Sequence, residues 1–144
     1  MHAAGEPRRA IEGLIRKWGH AVVSVGDPRL FLTYTVGLCD RPGRQYELAV
    51  TGQSASTAGA VLNATADQLL MDALDPVAGL ELDTVIDGFV VKLHQVPAPD
   101  QHAFDAMRVL YGHQPTVWQV LLPDRDGVVP DVPTYQQAFF QPLL

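Results

Sequence analysis

The sequence predicts a single α+β domain, a mainly antiparallel sheet of about five to six strands with three helices packed on it. Three observations carry that expectation. Three stretches place apolar residues at helical spacing, and several short β-branched runs lie between them. Strands follow one another directly near the start of the chain, where a doubly wound parallel sheet would alternate each strand with a helix. Asp87-Gly88 stands between two apolar runs, a strong short-range hairpin signal because both residues tolerate the positive φ of a tight turn.

The elements follow in order. Over residues 7–18, Ile11, Leu14, Ile15 and Trp18 recur on one helical face, while Arg8, Arg9, Glu12 and Arg16 fall mostly on the other. Gly19 ends that helix. Residues 20–25 and 30–36 read as strands separated by Gly26-Asp27-Pro28, and a third strand over 47–51 follows a turn containing Pro42-Gly43. Three successive strands imply an antiparallel meander. Ser54 or Ser56 caps a second helix that runs to about residue 74, with Val61, Leu62, Ala66, Leu69 and Leu70 on its apolar face. Residues 84–86 and 89–96 form the hairpin. A third helix over 100–111, with Ala103, Phe104, Met107, Leu110 and Tyr111 on one face, is capped by Gly112. Residues 117–122 make the last strand. The expectation is one domain over 1–144, with 1–6 flexible and 128–144 an irregular tail packed on the body.

Composition narrows the function classes. Hydrophobic residues at 47% and charged residues at 18% describe a chain that can bury a core and is too apolar for disorder, and it has no run long enough to span a membrane. A net charge of −6 and scattered arginines lack the basic stripe that a phosphate backbone requires, so nucleic acid is not expected as a partner. Cys39 is the only cysteine, which rules out an intrachain disulfide and a cysteine zinc cluster. With no secretory h-region at the start, a cytoplasmic setting is expected.

Lys17-Trp18-Gly19-His20-Ala21-Val22-Val23, Phe31-Leu32-Thr33-Tyr34-Thr35-Val36-Gly37-Leu38, Tyr111-Gly112 and Trp118-Gln119-Val120 resemble the bacterial domain-of-unknown-function 4262 family. Pro123-Asp124-Arg125-Asp126-Gly127 and Gln141-Pro142-Leu143-Leu144 extend the likeness over nearly the whole chain. The family's first strand opens on a Gly-aromatic pair, where this chain has Gly19-His20 with Trp18 before the glycine. The resemblance implies the fold and a bacterial, cytoplasmic setting, and it implies no activity.

Chemistry must therefore be read from residues. His2, His20, His94, His102 and His113 include no pair at metal-ligand spacing, so no metal site is expected, though His94 could meet His20 or Glu47 across the sheet. Cys39, in a loop before Asp40, is a weak nucleophile candidate. General acid and base candidates are His20, Tyr34, Glu47, His94, Tyr111, His113, Asp124 and Asp126, of which His20, Tyr34 and His94 are taken as candidate catalytic residues. Glu47 reads as an exposed strand-end charge, with a buried pairing to Arg44 or Arg125 as the alternative. Arg125, between two acids in a tight turn, could present its fork of donors to an anion. Gln119, an amide inside an apolar strand, must find partners, either as structural glue or as a polar group in a pocket. Tyr34, Tyr111, Trp118, Gln119 and Arg125 are the candidate ligand-binding residues. No nucleotide loop is present and no cofactor is expected.

Two readings result. One is a domain that binds a small apolar or planar metabolite between sheet and helices near Tyr34, His94, Tyr111 and Gln119, a site that could serve a cofactor-independent enzyme. The other is a protein-interaction, immunity-like or accessory module acting through its acidic surface or the tail over 135–144, with Phe139-Phe140 exposed, or through a homodimer interface.

Overall fold

A computed structural model describes residues 5–26, 31–41, 44–99, 103–130 and 141–144. Several features expected from the sequence lie outside these residues: His2 and His102, the Asp27-Pro28 and Pro42-Gly43 turns, residues 100–102 of the third helix, and Phe139-Phe140; Ala103 and Phe104, expected in that helix, form a turn before it.

The chain forms α1 (Gly5–Trp18), β1 (Ala21–Val25), β2 (Leu32–Val36), β3 (Tyr46–Thr51), α2 (Ala55–Met71), β4 (Glu81–Ile86), β5 (Phe89–Gln95), α3 (Asp105–Tyr111) and β6 (Thr116–Leu121), with one 3-10 turn at Leu38–Asp40. The strand order is β1-β2-β3-β6-β5-β4. The expected meander is present in β1-β2-β3, and β4-β5-β6 is antiparallel as well. β3 and β6 run parallel at the centre, because the crossover between them carries α2, the β4-β5 hairpin and α3.

The local signals act as their chemistry requires. Gly19 ends α1 at φ 89°, donating its N–H to Ile15 O at 2.7 Å. Ser54, rather than Ser56, caps α2 and accepts from Thr57 N–H. Gly88 and Gly112 take positive φ at the hairpin and after α3.

Helices cover both sheet faces. Ala58, Val61, Leu62, Ala66 and Leu69 of α2 pack on one face against Leu48, Val50, Leu82, Val91, Leu93 and Val120. Ile11 and Ile15 of α1, with Phe104 and Met107, pack on the other face against Leu32, Tyr34, Val36, Ala49 and Val117. Both central strands are thereby buried on two sides, which is why Tyr46–Thr51 shows no solvent-facing alternation.

Polar side chains pin the layers where apolar packing alone leaves orientation open. Gln68 of α2 accepts from Thr84 N–H and Oγ1 and donates to Asp83 and Asp72, fixing the helix to β4. Fully buried Gln119 donates to Thr51 Oγ1 at 3.1 Å and Pro142 O at 2.8 Å and accepts from Leu144 N–H at 2.9 Å. The end of the described chain is thus stitched to the sheet, with Gln141 accepting from Leu122 N–H beside it. Gln119→Leu would leave Thr51, Pro142 and Leu144 without this shared partner. It should cost about 1–3 kcal/mol in urea unfolding and accelerate hydrogen exchange at Leu144, whereas an unchanged exchange rate would show that the segment is held by other contacts.

Candidate functional site

Glu47 is fully buried, contrary to the strand-end reading, and its partner is neither Arg44 nor Arg125. Its Oε2 accepts from Cys39 N–H at 3.1 Å, Gly37 N–H at 3.2 Å and Tyr111 O–H at 2.6 Å. Its Oε1 accepts from Thr35 O–H at 2.8 Å and Leu38 N–H at 3.2 Å. Three successive amides can converge on one carboxylate because Gly37 sits at φ 108°, turning the chain into the 3-10 turn with its N–H groups aimed inward. A Cβ at Gly37 would also come within 2.9 Å of Ile15 Cγ1. The β2–β3 ladder changes here too: Leu48 N–H is taken by Thr35 Oγ1 at 2.9 Å.

The electrostatics of this clasp restrain its members. Burial pushes the Glu47 carboxyl up from the ordinary carboxylate range, opposed by the bonds from Tyr111, Cys39 N–H and Thr35. Burial first, then the Glu47 charge, pushes both the Tyr111 hydroxyl and the Cys39 thiol far up. A thiol in that position is a poor nucleophile.

The clasp fixes the turn that presents Arg41. Arg41 Nε donates to Gly19 O at 3.0 Å and its Nη2 to Trp18 O at 3.1 Å, so the guanidinium caps carbonyls left open at the end of α1. Gly19 is required for this approach, since a Cβ there would lie 1.9 Å from Arg41 Nη2. The same Nη2 lies 3.2 Å from His20 Nδ1. A guanidinium can only donate, so Nδ1 is the accepting nitrogen and the imidazole proton sits on Nε2, which donates to Asn63 Oδ1 at 2.7 Å.

These groups line a cleft of about 580 Å³ formed by Leu14, Trp18, His20, Ala21, Val22, Arg41, Asn63 and Asp67. Trp18 does not join the core as its helical spacing suggested. It is 65% exposed, with Lys17 Nζ 5.1 Å from the ring centroid. Asn63 and Asp67 lie one turn apart on α2, so both face the cleft.

The other candidates fall elsewhere. Tyr34 is buried edge-to-face on Phe104, and its hydroxyl accepts from Ala106 N–H at 3.2 Å. Burial raises its hydroxyl pKa, partly offset by that bond. Tyr111 belongs to the Glu47 clasp. Trp118 is buried on the α2 side of the sheet, and Gln119 is spent on the chain end. His94 faces Gln119 and reaches Leu144 O at 3.4 Å, while β2, β3 and β6 separate its strand from β1 after His20 and β6 separates it from Glu47. His113, exposed, bonds the carbonyl of Tyr111 at 3.2 Å and lies beside its ring, with centroids 5.9 Å apart. Asp124 is buried and closes its own turn, with Oδ1 accepting from Asp126 and Val128 N–H. Arg125 is exposed in the wall of a separate surface cleft with Phe89, Val90 and Asp126. Among the described residues no group of three or more His, Cys, Asp or Glu side chains could hold a metal, and no helix is long and apolar enough to cross a membrane. Arg41, Asn63 and Asp67 were missed by sequence reasoning, because nothing local to them signals that the turn after β2 and the α2 face come to one cleft beside the end of α1.

Fold and site together define an α+β domain with helices on both faces of a six-stranded sheet and a cleft at the β1 edge held by a buried carboxylate clasp. The chain belongs to the family described as Domain of unknown function (DUF4262), whose model matches residues 14–136. Comparisons with curated proteins and with solved structures return no match.

Glu47→Ala would strand several buried donors at once and should destabilise the fold by about 3–5 kcal/mol. Tyr111→Phe should cost about 1.5–3 kcal/mol, both measured by urea unfolding. A loss below about 1 kcal/mol for Glu47→Ala would show that the turn stands without the clasp. Only the thiolate of Cys39 reacts with iodoacetamide. Because its pKa is raised, the alkylation rate should keep climbing through pH 10, while a plateau near pH 9 would mean an ordinary thiol.

Proposed function

We propose that this protein is a small-molecule-binding domain whose ligand occupies the cleft between the end of α1, β1 and α2. The observation that carries the reading is the pairing of an exposed aromatic face at Trp18 with converging polar groups at His20, Arg41, Asn63 and Asp67. Apolar walls with a few fixed polar groups suit a ligand that stacks a flat surface and uses its edge for hydrogen bonds. A planar metabolite with an acceptor toward the Asn63 amide nitrogen and a donor toward Asp67 matches this lining.

An acid-base role falls to this cleft rather than to Tyr34 or His94. His20 has a defined tautomer, with its proton on the nitrogen facing Asn63, and Asp67 supplies a carboxylate on the same helix face. The reading as an interaction module, with a homodimer as one form of it, draws on the exposed apolar side chains of Leu70 and Met71 at the end of α2 and of Val77 in the loop after it.

Native mass spectrometry of the protein purified from its own host separates these readings. The expected result is a retained small molecule on a monomer, bound at least ~10-fold more weakly by both Trp18→Ala and Asn63→Leu, with Trp18→Ala folding normally because its side chain is exposed. A ligand-free dimer or a retained protein would favour the interaction reading. Unchanged ligand affinity in both variants would remove this cleft as the site.

A further inference from the structure

Arg44 lies in the approach to β3 and is only 8% exposed, yet its Nη2 has no hydrogen-bond partner among the described residues. A buried guanidinium nitrogen without an acceptor is costly, because desolvation is repaid only by an anion or a well-placed oxygen. Arg44 stands in the wall of a cavity of about 240 Å³ between the start of β3 and the end of α2. The remaining walls are Tyr46, Leu69, Leu70, Ala73, Leu74 and Asp75. The Tyr46 hydroxyl oxygen accepts from the Arg44 guanidinium, which leaves Nη2 as the open donor and frees the Tyr46 O–H to donate in turn. Asp75 is exposed to water, so its charge is screened where that of Arg44 is not.

We infer that this cavity is a second binding site, distinct from the cleft at Trp18, for a small organic carboxylate with a short branched apolar chain. The carboxylate takes the fork of Arg44 and the Tyr46 hydroxyl, and the chain lies against Leu69, Leu70 and Leu74. Planar recognition of a carboxylate by arginine explains why a fixed, buried guanidinium stands here at all. The leucine wall sets the preference for an apolar substituent over a bare anion.

Isothermal titration of the full chain with 4-methylpentanoate tests the inference, with 4-methylpentanamide as the uncharged probe of the same shape. The acid should bind, and the amide should bind at least ~10-fold more weakly. Arg44→Met should lose the acid at least ~10-fold while the ligand-free protein still folds, since an apolar side chain of similar length replaces a buried cation with one nitrogen unpaired. Tyr46→Phe should weaken the acid to a lesser degree. Equal binding of acid and amide to the natural chain, which needs no variant to fold, would overturn the inference, as would no binding of the acid at ~10 mM or unchanged affinity in Arg44→Met.

Discussion

The geometry of the β1 edge depends on one carboxylate. Glu47 comes from a strand buried on both faces, where an acid without partners would be too costly to keep charged. It is tolerated because the turn after β2 delivers three backbone amides and β2 and α3 each deliver a hydroxyl. The dependence is mutual. Without the anion, the N–H groups of Leu38 and Cys39 would lose their acceptor and that of Gly37 would keep only the Tyr111 hydroxyl, leaving the 3-10 turn to its own bonds from Asp40 N–H and Arg41 N–H.

Everything built at that edge inherits its position from this contact. The turn ends at Arg41, Arg41 caps α1, and the capped end of α1 holds His20 against Asn63. The two glycines in the path serve different contacts: Gly37 leaves room for Ile15 of α1, and Gly19 leaves room for the Arg41 guanidinium. The Arg41 bonds thus hold, beside the cleft, a helix end whose carbonyls would otherwise be left to water. The clasp also consumes the reactivity of its own members, because Cys39 and Tyr111 share a buried environment with a carboxylate charge that opposes their ionisation.

Most of the fold was legible, and the errors have a common cause. Asp87-Gly88, Ser54, Gly19 and Gly112 report on backbone conformations a few residues wide, and each stands where its chemistry placed it. The Trp18 assignment failed because periodicity finds a face without saying what it meets; α1 presents Ile11 and Ile15 to the sheet and leaves Leu14 and Trp18 at the rim. Glu47 was misread because its bonds come from segments ten and 64 residues away. Gln119 was recognised as an amide in need of partners, but Thr51 and Pro142 could not be named from the strand alone.

By itself the sequence determined the fold class, the helix ends and the hairpin, because these follow from side-chain periodicity and from which residues accept positive φ, properties carried within a few positions. It also determined that one acid and one amide would sit in strands otherwise apolar. Only the tertiary structure decided what satisfies them. Hydrogen-bond satisfaction in a buried strand is settled by whichever distant donors arrive there. The parallel pairing of β3 with β6 and the docking of α1 beside the turn after β2 are long-range events that local spacing does not encode.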